Sequence, residues 1–138
     1  MTQLHAYFTF NGNCREALTF YQECLGGELS LQTVGSSPMA DSWPAQVQQQ
    51  ILHASLKKDG LVLLGSDMAG PGELVQGNTI SLSLTCSSEE ETNTFFSNLS
   101  AGGQITHPLH GFYAGTIGML TDKFGMNWMI YYDKQPKG

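Results

Sequence analysis

A strand-and-helix unit that occurs twice, 76 residues apart, is the feature that most constrains how this chain folds. Residues 4–10 alternate with the period of a half-buried strand, and a helical apolar pattern follows and ends at a glycine pair, 26–27. Residues 79–85 alternate in the same way, and a second helical pattern ends at the glycine pair 102–103. The matched spacing indicates a duplicated module.

Both helices carry a recognisable start signal. Asn13 is followed three residues later by Glu16, and Ser88 is followed three residues later by Glu91. A capping side chain with an acidic residue at this spacing forms a capping box, in which each side chain bonds the other's backbone N–H. We therefore predict that each helix begins directly after its capping residue.

Each helix is followed by three strand-like segments, which gives each half the order β-α-β-β-β. We therefore predict an α+β fold in which two β-α-β-β-β modules form a cup-shaped mixed sheet. The predicted strands after the helices are residues 28–34, 47–57 and 61–66 in the first half and about 104–106, 113–121 and 126–132 in the second.

The two halves are predicted to form one domain over residues 1–138, because neither is expected to bury a sufficient core alone. Module 1 covers about residues 1–67 and module 2 about residues 79–133. The Gly/Pro-rich residues at about 68–78 are the predicted linker.

Composition excludes several classes of partner. Six Lys and Arg against twelve Asp and Glu give a net charge of −6, which argues against binding a phosphate backbone. No apolar run reaches the roughly 20 residues of a membrane span. The first residues lack the basic and apolar regions of a signal peptide, so we expect a cytoplasmic protein. Three cysteines without C-x-x-C spacing predict neither a disulfide framework nor a structural zinc site.

Two motifs carry a resemblance to a known superfamily. The segments are 10–21 (FNGNCREALTFY) and 122–128 (DKFGMNW), with a weaker third match at 53–56 (HASL). They resemble the vicinal oxygen chelate superfamily, which includes glyoxalase I, extradiol dioxygenases and bleomycin-resistance proteins. The closest likeness is to its PhnB-like branch, some members of which are labelled demethylubiquinone methyltransferases. Lys123 stands where that branch usually has proline.

The resemblance implies where a metal centre would lie. In metal-using members the first and last strands of each module supply one ligand apiece. These positions correspond here to His5 and Leu64 in the first module and to Ser81, or its neighbour Thr79, and Met129 in the second. One imidazole, one hydroxyl, one aliphatic chain and one thioether do not form a divalent-metal site. We therefore expect no metal or other cofactor, with His5 as the only candidate ligand.

Each histidine also has a plainer interpretation. His5 is interpreted as a polar cavity wall residue, with metal ligation and ordinary packing as alternatives. His53 is either a wall residue or an acid–base group. The His107-Pro108-Leu109-His110 segment is predicted to be a loop near the cavity mouth, because Pro108 prevents the regular helix that would place both imidazoles together.

Aromatic and methionine residues concentrate near the C-terminus, and strand alternation places Met129 and Tyr131 on one face. A cup lined by such groups and a few hydroxyls suits a small, partly apolar ligand. Superfamily relatives pair as two-fold dimers that share ligand grooves, so we expect a homodimer. The predicted ligand-cavity residues are His5, Tyr7, Trp43, His53, Leu64, Ser81, Ser83, Tyr113, Met129 and Tyr131.

Two classes of function remain open at this point. The first is a small-molecule-binding protein without the superfamily metal, of the sequestering or resistance type, whose acidity favours neutral or cationic ligands over anionic ones. The alternative is a metal-dependent lyase, isomerase or dioxygenase that combines His5 with His53, Glu73 or His107. Methyl transfer is suggested only by the label of relatives, and no dinucleotide-type glycine motif supports it.

Overall fold

The computed structural model describes residues 2–38, 40–69 and 72–134. These residues form two compact units that divide between Leu74 and Val75, inside the predicted linker. The linker residues 70 and 71 lie outside the described residues. Among the helices of the described part, none is long and apolar enough to cross a membrane.

The first unit is a four-stranded mixed sheet with one helix. The strand order is β1-β4-β3-β2, with β1 parallel to β4 and the other neighbours antiparallel. Two short 3₁₀ turns, Ala40–Ser42 and Ala45–Val47, lie between β2 and β3. The elements are β1 Ala6–Thr9, α1 Cys14–Leu25, β2 Glu28–Thr33, β3 Ile51–Lys58 and β4 Leu61–Ser66.

The second unit repeats this topology. Its strand order is β5-β8-β7-β6, again with one parallel pair, β5 with β8. The predicted fold class of two β-α-β-β-β modules is therefore confirmed. The elements are β5 Leu82–Thr85, α2 Glu89–Ser100, β6 Gln104–Phe112, β7 Gly115–Thr121 and β8 Asn127–Asp133.

One face of each sheet is covered by the helix of its own unit. Leu18 and Tyr21 of α1 are fully buried, as are Leu56 and other core-facing strand residues. In the second unit the corresponding core contains Trp128 and Ile130 of β8, as the alternation of residues 126–132 predicts. Burial of this apolar area is the main contribution to the stability of each unit. The opposite face of each sheet is not covered by the helix of its unit.

The two helices begin in different ways. Ser88 Oγ accepts a hydrogen bond from the Glu91 N–H at 3.0 Å, which confirms the predicted capping residue of α2. The Glu91 carboxylate accepts a hydrogen bond from the Ser87 N–H. The capping box predicted for α1 is wrong, because the Asn13 side chain makes no capping hydrogen bond. Asp67 of the segment after β4 takes its place, as described below.

The first strand of each module is shorter than predicted. β1 begins at Ala6 and β5 at Leu82, because each edge strand pairs only along that stretch with its single neighbour. Leu4 and Ile80, which the alternation places on the core face, are 97% and 79% exposed. Alternation alone therefore does not determine which side chains at the ends of these strands are buried.

Three further strand boundaries differ from those predicted. The strand predicted for 47–57 begins only at Ile51, because the chain makes a 3₁₀ turn after Pro44. The strand predicted for 104–106 extends to Phe112, and the strand predicted for 113–121 begins at Gly115. The prediction that the His-Pro-Leu-His segment is a loop is therefore wrong. Irregular pairing on both sides of His107 and the edge position of β6 allow the sheet to accommodate a proline, which has no N–H to donate.

Candidate functional site

The face of the second sheet that α2 leaves uncovered carries a row of soft side chains. Ser83 pairs with Met129, Met129 with Met119, and Met119 with His107, in register across all four strands. Directly paired residues project from the same face of a sheet, so these four side chains form one line. We call this line, Ser83–Met129–Met119–His107, the thioether row.

A second row runs beside the first on the same face. Thr85, Tyr131, Ile117 and His110 are paired in sequence from β5 to β6. The Phe112 ring contacts the Tyr131 ring at a centroid distance of 5.7 Å. This part of the face therefore presents an aromatic surface with a phenol at its centre.

Tyr131 has an altered ionisation. Desolvation raises its pKa above the ordinary value of 10.0, and the charge of Asp133 and its hydrogen bond with the phenol raise it further. Each effect disfavours the negatively charged phenolate form of Tyr131. The Tyr131 hydroxyl is therefore a neutral hydrogen-bond donor throughout the physiological range of pH.

The uncovered face of the first sheet has the corresponding row. Tyr7, Leu64, Ser55 and Ser30 are paired in sequence from β1 to β2. Tyr7 and Leu64 occupy the places that Ser83 and Met129 occupy in the second unit, so the duplication extends to the register of the strands. The His53 ring lies 6.3 Å from the Tyr7 ring, measured between centroids.

The positions that the superfamily uses for metal ligands hold an unsuitable donor set. Leu64 and Met129 lie on the uncovered faces, whereas His5 and Ser81 precede β1 and β5 and are exposed. A leucine offers no donor atom, and a hydroxyl and a thioether are weak ligands for Zn²⁺ or Ni²⁺. Within the described parts of the chain, no three His, Cys, Asp or Glu side chains lie together in a way that could hold a metal ion. These residues do not fit a divalent-metal centre.

The first unit contains a pocket of about 670 Å³ near the end of β4. Trp43, which is 37% exposed, forms part of its wall. The pocket is bordered by the segment that follows β4. Besides Trp43, the lining includes the apolar Leu52 and Leu74, the amides of Asn11 and Gln50, and the carboxylate of Glu73. We call it the Trp43 pocket.

The Trp43 pocket is bordered by a rigidly held carboxylate. Asp67 is buried, and its Oδ1 accepts hydrogen bonds from the Gly12 and Cys14 N–H groups at 3.0 and 2.9 Å. Its Oδ2 accepts a third from the Ile51 N–H at 2.8 Å. Oδ1 of Asp67 therefore caps α1, as the side chain of an N-cap residue would, and Oδ2 fixes the start of β3.

Cys14, beside this carboxylate, is not a nucleophile. Burial raises the pKa of its thiol from 9.0 to about 12, and the negative charge of Asp67 adds to the effect. The thiolate is the reactive form of cysteine, and it is scarcely populated at neutral pH when the pKa is this high. Cys24 and Cys86 are also buried thiols.

The structure distributes the predicted cavity residues over several places, with His5 and Ser81 exposed ahead of β1 and β5. Tyr7, Leu64 and His53 share the first uncovered face, and Ser83, Met129 and Tyr131 share the second. Trp43 lines the pocket, while Tyr113 is 94% exposed beside the turn between β6 and β7. Sequence reasoning missed three residues. The strand predicted for 104–106 stops before Pro108, so the pairing of His107 with Met119 was not predicted. Nothing in the sequence distinguishes Asp67 from a surface carboxylate.

Known proteins resemble this chain over nearly its whole length. The model of the family described as 3-demethylubiquinone-9 3-methyltransferase matches residues 2–131. Protein YjdN of Escherichia coli strain K12 is 34% identical over an alignment of 142 positions, which covers 96% of this chain and 96% of that protein. The crystal structure of protein PA1353 from Pseudomonas aeruginosa is 37% identical and superposes with a TM-score of 0.82, covering 96% of this chain and 98% of that one.

A more distant structure shows the wider fold. The glyoxylase/bleomycin resistance protein/dioxygenase domain from Frankia is 17% identical and has a TM-score of 0.61, with 99% of this chain and 96% of that chain covered. The two β-α-β-β-β units and the match over residues 2–131 agree with these likenesses. This chain therefore has the fold of the glyoxalase/bleomycin-resistance/dioxygenase proteins and belongs to the 3-demethylubiquinone-9 3-methyltransferase family.

Proposed function

We propose that this protein binds a small organic molecule in the Trp43 pocket and does not use the superfamily's divalent metal. The observation that carries the proposal is the pocket itself, whose volume is about 670 Å³. Pockets for small organic ligands typically span about 300–1,000 Å³ and combine an apolar lining with a few polar groups. The indole of Trp43, the leucines and the two amides supply that combination.

The charges around the pocket favour a neutral or cationic ligand. Asp67 and Glu73 contribute two carboxylates, and the described lining includes no Lys, Arg or His. An anion would therefore meet repulsion without a compensating basic group. The net charge of −6 over the whole chain acts in the same direction.

The absence of a superfamily-type metal centre is proposed from donor chemistry. His5 supplies one imidazole, and no carboxylate or second imidazole stands at Leu64, Ser81 or Met129. Methyl transfer, which the family description names, is not proposed. Each described sheet is a four-stranded mixed sheet rather than a doubly wound parallel one, and the sequence has no glycine-rich dinucleotide motif.

Tryptophan fluorescence tests the pocket directly. The chain has two tryptophans, and Trp128 is only 2% exposed, so acrylamide should quench mainly Trp43. We would titrate the whole protein with a fragment library of neutral, cationic and anionic members. Neutral and cationic fragments should protect Trp43 from acrylamide. If no member of the library reduced quenching, the pocket would not be a ligand site.

A pair of aromatic variants provides the control. Trp43→Ala should abolish fragment binding measured by ligand-detected NMR, whereas Tyr113→Ala should leave it unchanged because Tyr113 lies outside the pocket lining. Equal losses in the two variants would contradict the assignment of the pocket.

Metal analysis tests the second part of the proposal. After dialysis against Zn²⁺, Ni²⁺ or Fe²⁺ and then buffer, the protein should retain less than one equivalent of metal, and His5→Ala should retain the same amount. Stoichiometric retention that depends on His5 and is reversed by EDTA would instead favour the metal-dependent lyase, isomerase or dioxygenase.

A further inference from the structure

We propose that the thioether row of the second sheet binds a soft monovalent cation of the Cu(I) or Ag(I) class through His107, Met119 and Met129. This proposal concerns a different unit from the Trp43 pocket and a different kind of ligand. It is also distinct from the superfamily's divalent centre, since only Met129 belongs to both sets of positions.

The strand register brings the three donors together. Met119 of β7 is paired on one side with Met129 of β8 and on the other with His107 of β6. Cβ atoms of directly paired residues lie about 4.5–5.5 Å apart and project from one face. Two thioethers and one imidazole are therefore adjacent, with Met119 at the centre, and flexible methionine side chains can adjust to a shared ion.

The donor set selects the class of ion. Thioether sulfur is a soft ligand that prefers Cu(I), and imidazole binds the same ion well. All three donors are neutral and offset none of the ion's charge, and desolvating one positive charge costs less than desolvating two. Zn²⁺ prefers thiolate, imidazole and carboxylate ligands, and Mg²⁺ and Ca²⁺ prefer oxygen. The row therefore favours a soft monovalent cation over the common divalent ions.

The donor atoms are available for binding. The His107 side chain is exposed, and its ring nitrogens have no hydrogen-bond partner among the residues that the structure describes. His110, by contrast, has its Nδ1 2.9 Å from the Pro108 carbonyl oxygen. Met119 and Met129 are half-buried, so their thioethers are held by the sheet yet open on one side. His107 is thus the imidazole assigned to the site.

Silver(I) is the appropriate probe because it binds like Cu(I) without changing oxidation state under the conditions used. We would label the methionine ε-methyl groups with ¹³C and titrate the whole reduced protein with silver nitrate. As silver is added, the Met119 and Met129 methyl signals should shift together and reach saturation at the same silver concentration, while the Met68 signal should not move. This readout separates the row from the three cysteine thiols, which also bind silver.

Variants then assign the ligands. Met119→Leu, Met129→Leu and His107→Gln should each weaken Ag(I) binding by about tenfold or more, because loss of a ligand costs at least as much as loss of a group that supports one. Met68→Leu in the first unit is the matched control and should bind normally. Leucine replaces methionine at similar volume, so these variants should fold.

The outcomes separate this proposal from the proposed function. Met119 and Met129 signals that stay unmoved after enough Ag(I) has been added to saturate the three thiols would overturn the cation site. Undiminished affinity in both leucine variants would do the same. Neither result would affect protection of Trp43 by fragments, which reports on the first unit, and a failure of that protection would leave the silver titration unchanged.

Discussion

Asp67 and Asp122 stabilise their units by the same means, since each buried carboxylate accepts three N–H hydrogen bonds. Asp67 joins the start of α1 to the start of β3. Asp122 holds the turn before β8 and accepts a hydrogen bond from the Trp128 indole N–H at 2.8 Å. A buried N–H without a partner costs about 1–3 kcal/mol, so a carboxylate that satisfies three of them is difficult to replace.

Asp67→Asn should therefore lower the free energy of unfolding. The amide nitrogen replaces one acceptor oxygen and leaves at least one backbone N–H near Gly12, Cys14 or Ile51 unsatisfied. We expect a loss of about 1–3 kcal/mol in urea denaturation. Asp59→Asn is the control, because Asp59 is exposed with φ of 49° and asparagine tolerates that conformation equally well. Equal stability of the two variants would contradict the capping role of Asp67.

The raised pKa of Cys14 predicts a specific loss of stability at alkaline pH. The thiol pKa is 9.0 in the ordinary state and about 12 in the folded protein, so folding disfavours the thiolate. The stability that the neutral Cys14 thiol contributes to the folded protein is fully present below pH 9 and is lost as the pH rises toward 12. Cys14→Ala should make the free energy of unfolding less dependent on pH between about pH 8 and pH 11. A slope equal to that of the natural protein would show that Cys14 does not titrate on unfolding.

At the scale of elements, the sequence contains enough information for the helices and most strands but not for their edges. Both helices follow directly from apolar periodicity and glycine endings, and β8 has the face assignment that alternation predicts. The errors in strand bounds fall at strand ends, where pairing with a neighbouring strand determines how far the strand extends. Leu4 lies beyond the stretch that β1 pairs with β4, and Pro108 is accommodated only because irregular pairing on edge strand β6 leaves it free of a ladder bond.

The site was less predictable than the fold for a related reason. Alternation places Met129 and Tyr131 on one face, but cross-strand partners depend on register. The pairing of Met119 with His107 follows from an irregularity in β6 that no local sequence signal marks. Trp43 was predicted as a cavity residue, whereas the long-range contact of Asp67 with the start of α1 has no counterpart in local spacing.

The side chain of Ser88 caps α2, whereas the side chain of Asn13 does not cap α1, so removing these two side chains should have different effects on stability. Ser88→Ala removes the acceptor of the Glu91 N–H and should destabilise the protein by about 1 kcal/mol in urea denaturation. Asn13→Ala should change stability by less than about 0.5 kcal/mol, because its side chain makes no capping bond and Asp67 performs that role. A larger effect at Asn13 than at Ser88 would reverse this assignment.

At the scale of the whole molecule, the duplication preserves a scaffold while the side chains on it diverge. Tyr7 and Leu64 are paired as Ser83 and Met129 are, yet one pair presents a phenol and an aliphatic chain and the other a hydroxyl and a thioether. The buried faces retain apolar residues because both helices need them. The uncovered faces are free of that constraint, which is why family membership determines the fold and leaves the ligand to these particular residues.

At the scale of the whole molecule, we also expect two copies of this chain to associate. The resemblance of the sequence to the vicinal oxygen chelate superfamily predicts a two-fold dimer, and this chain leaves Leu4, Val75 and Ile80 exposed, by 79% or more. Sedimentation velocity at micromolar concentration should therefore give twice the 15.0 kDa mass of one chain. An interface formed by such side chains is held by apolar burial, so added salt should not weaken it, whereas ion pairs would be screened.

Ile80→Lys should shift the protein toward the monomer, and Glu90→Lys on the exposed side of α2 should not. A single species of 15.0 kDa at every concentration would contradict the dimer.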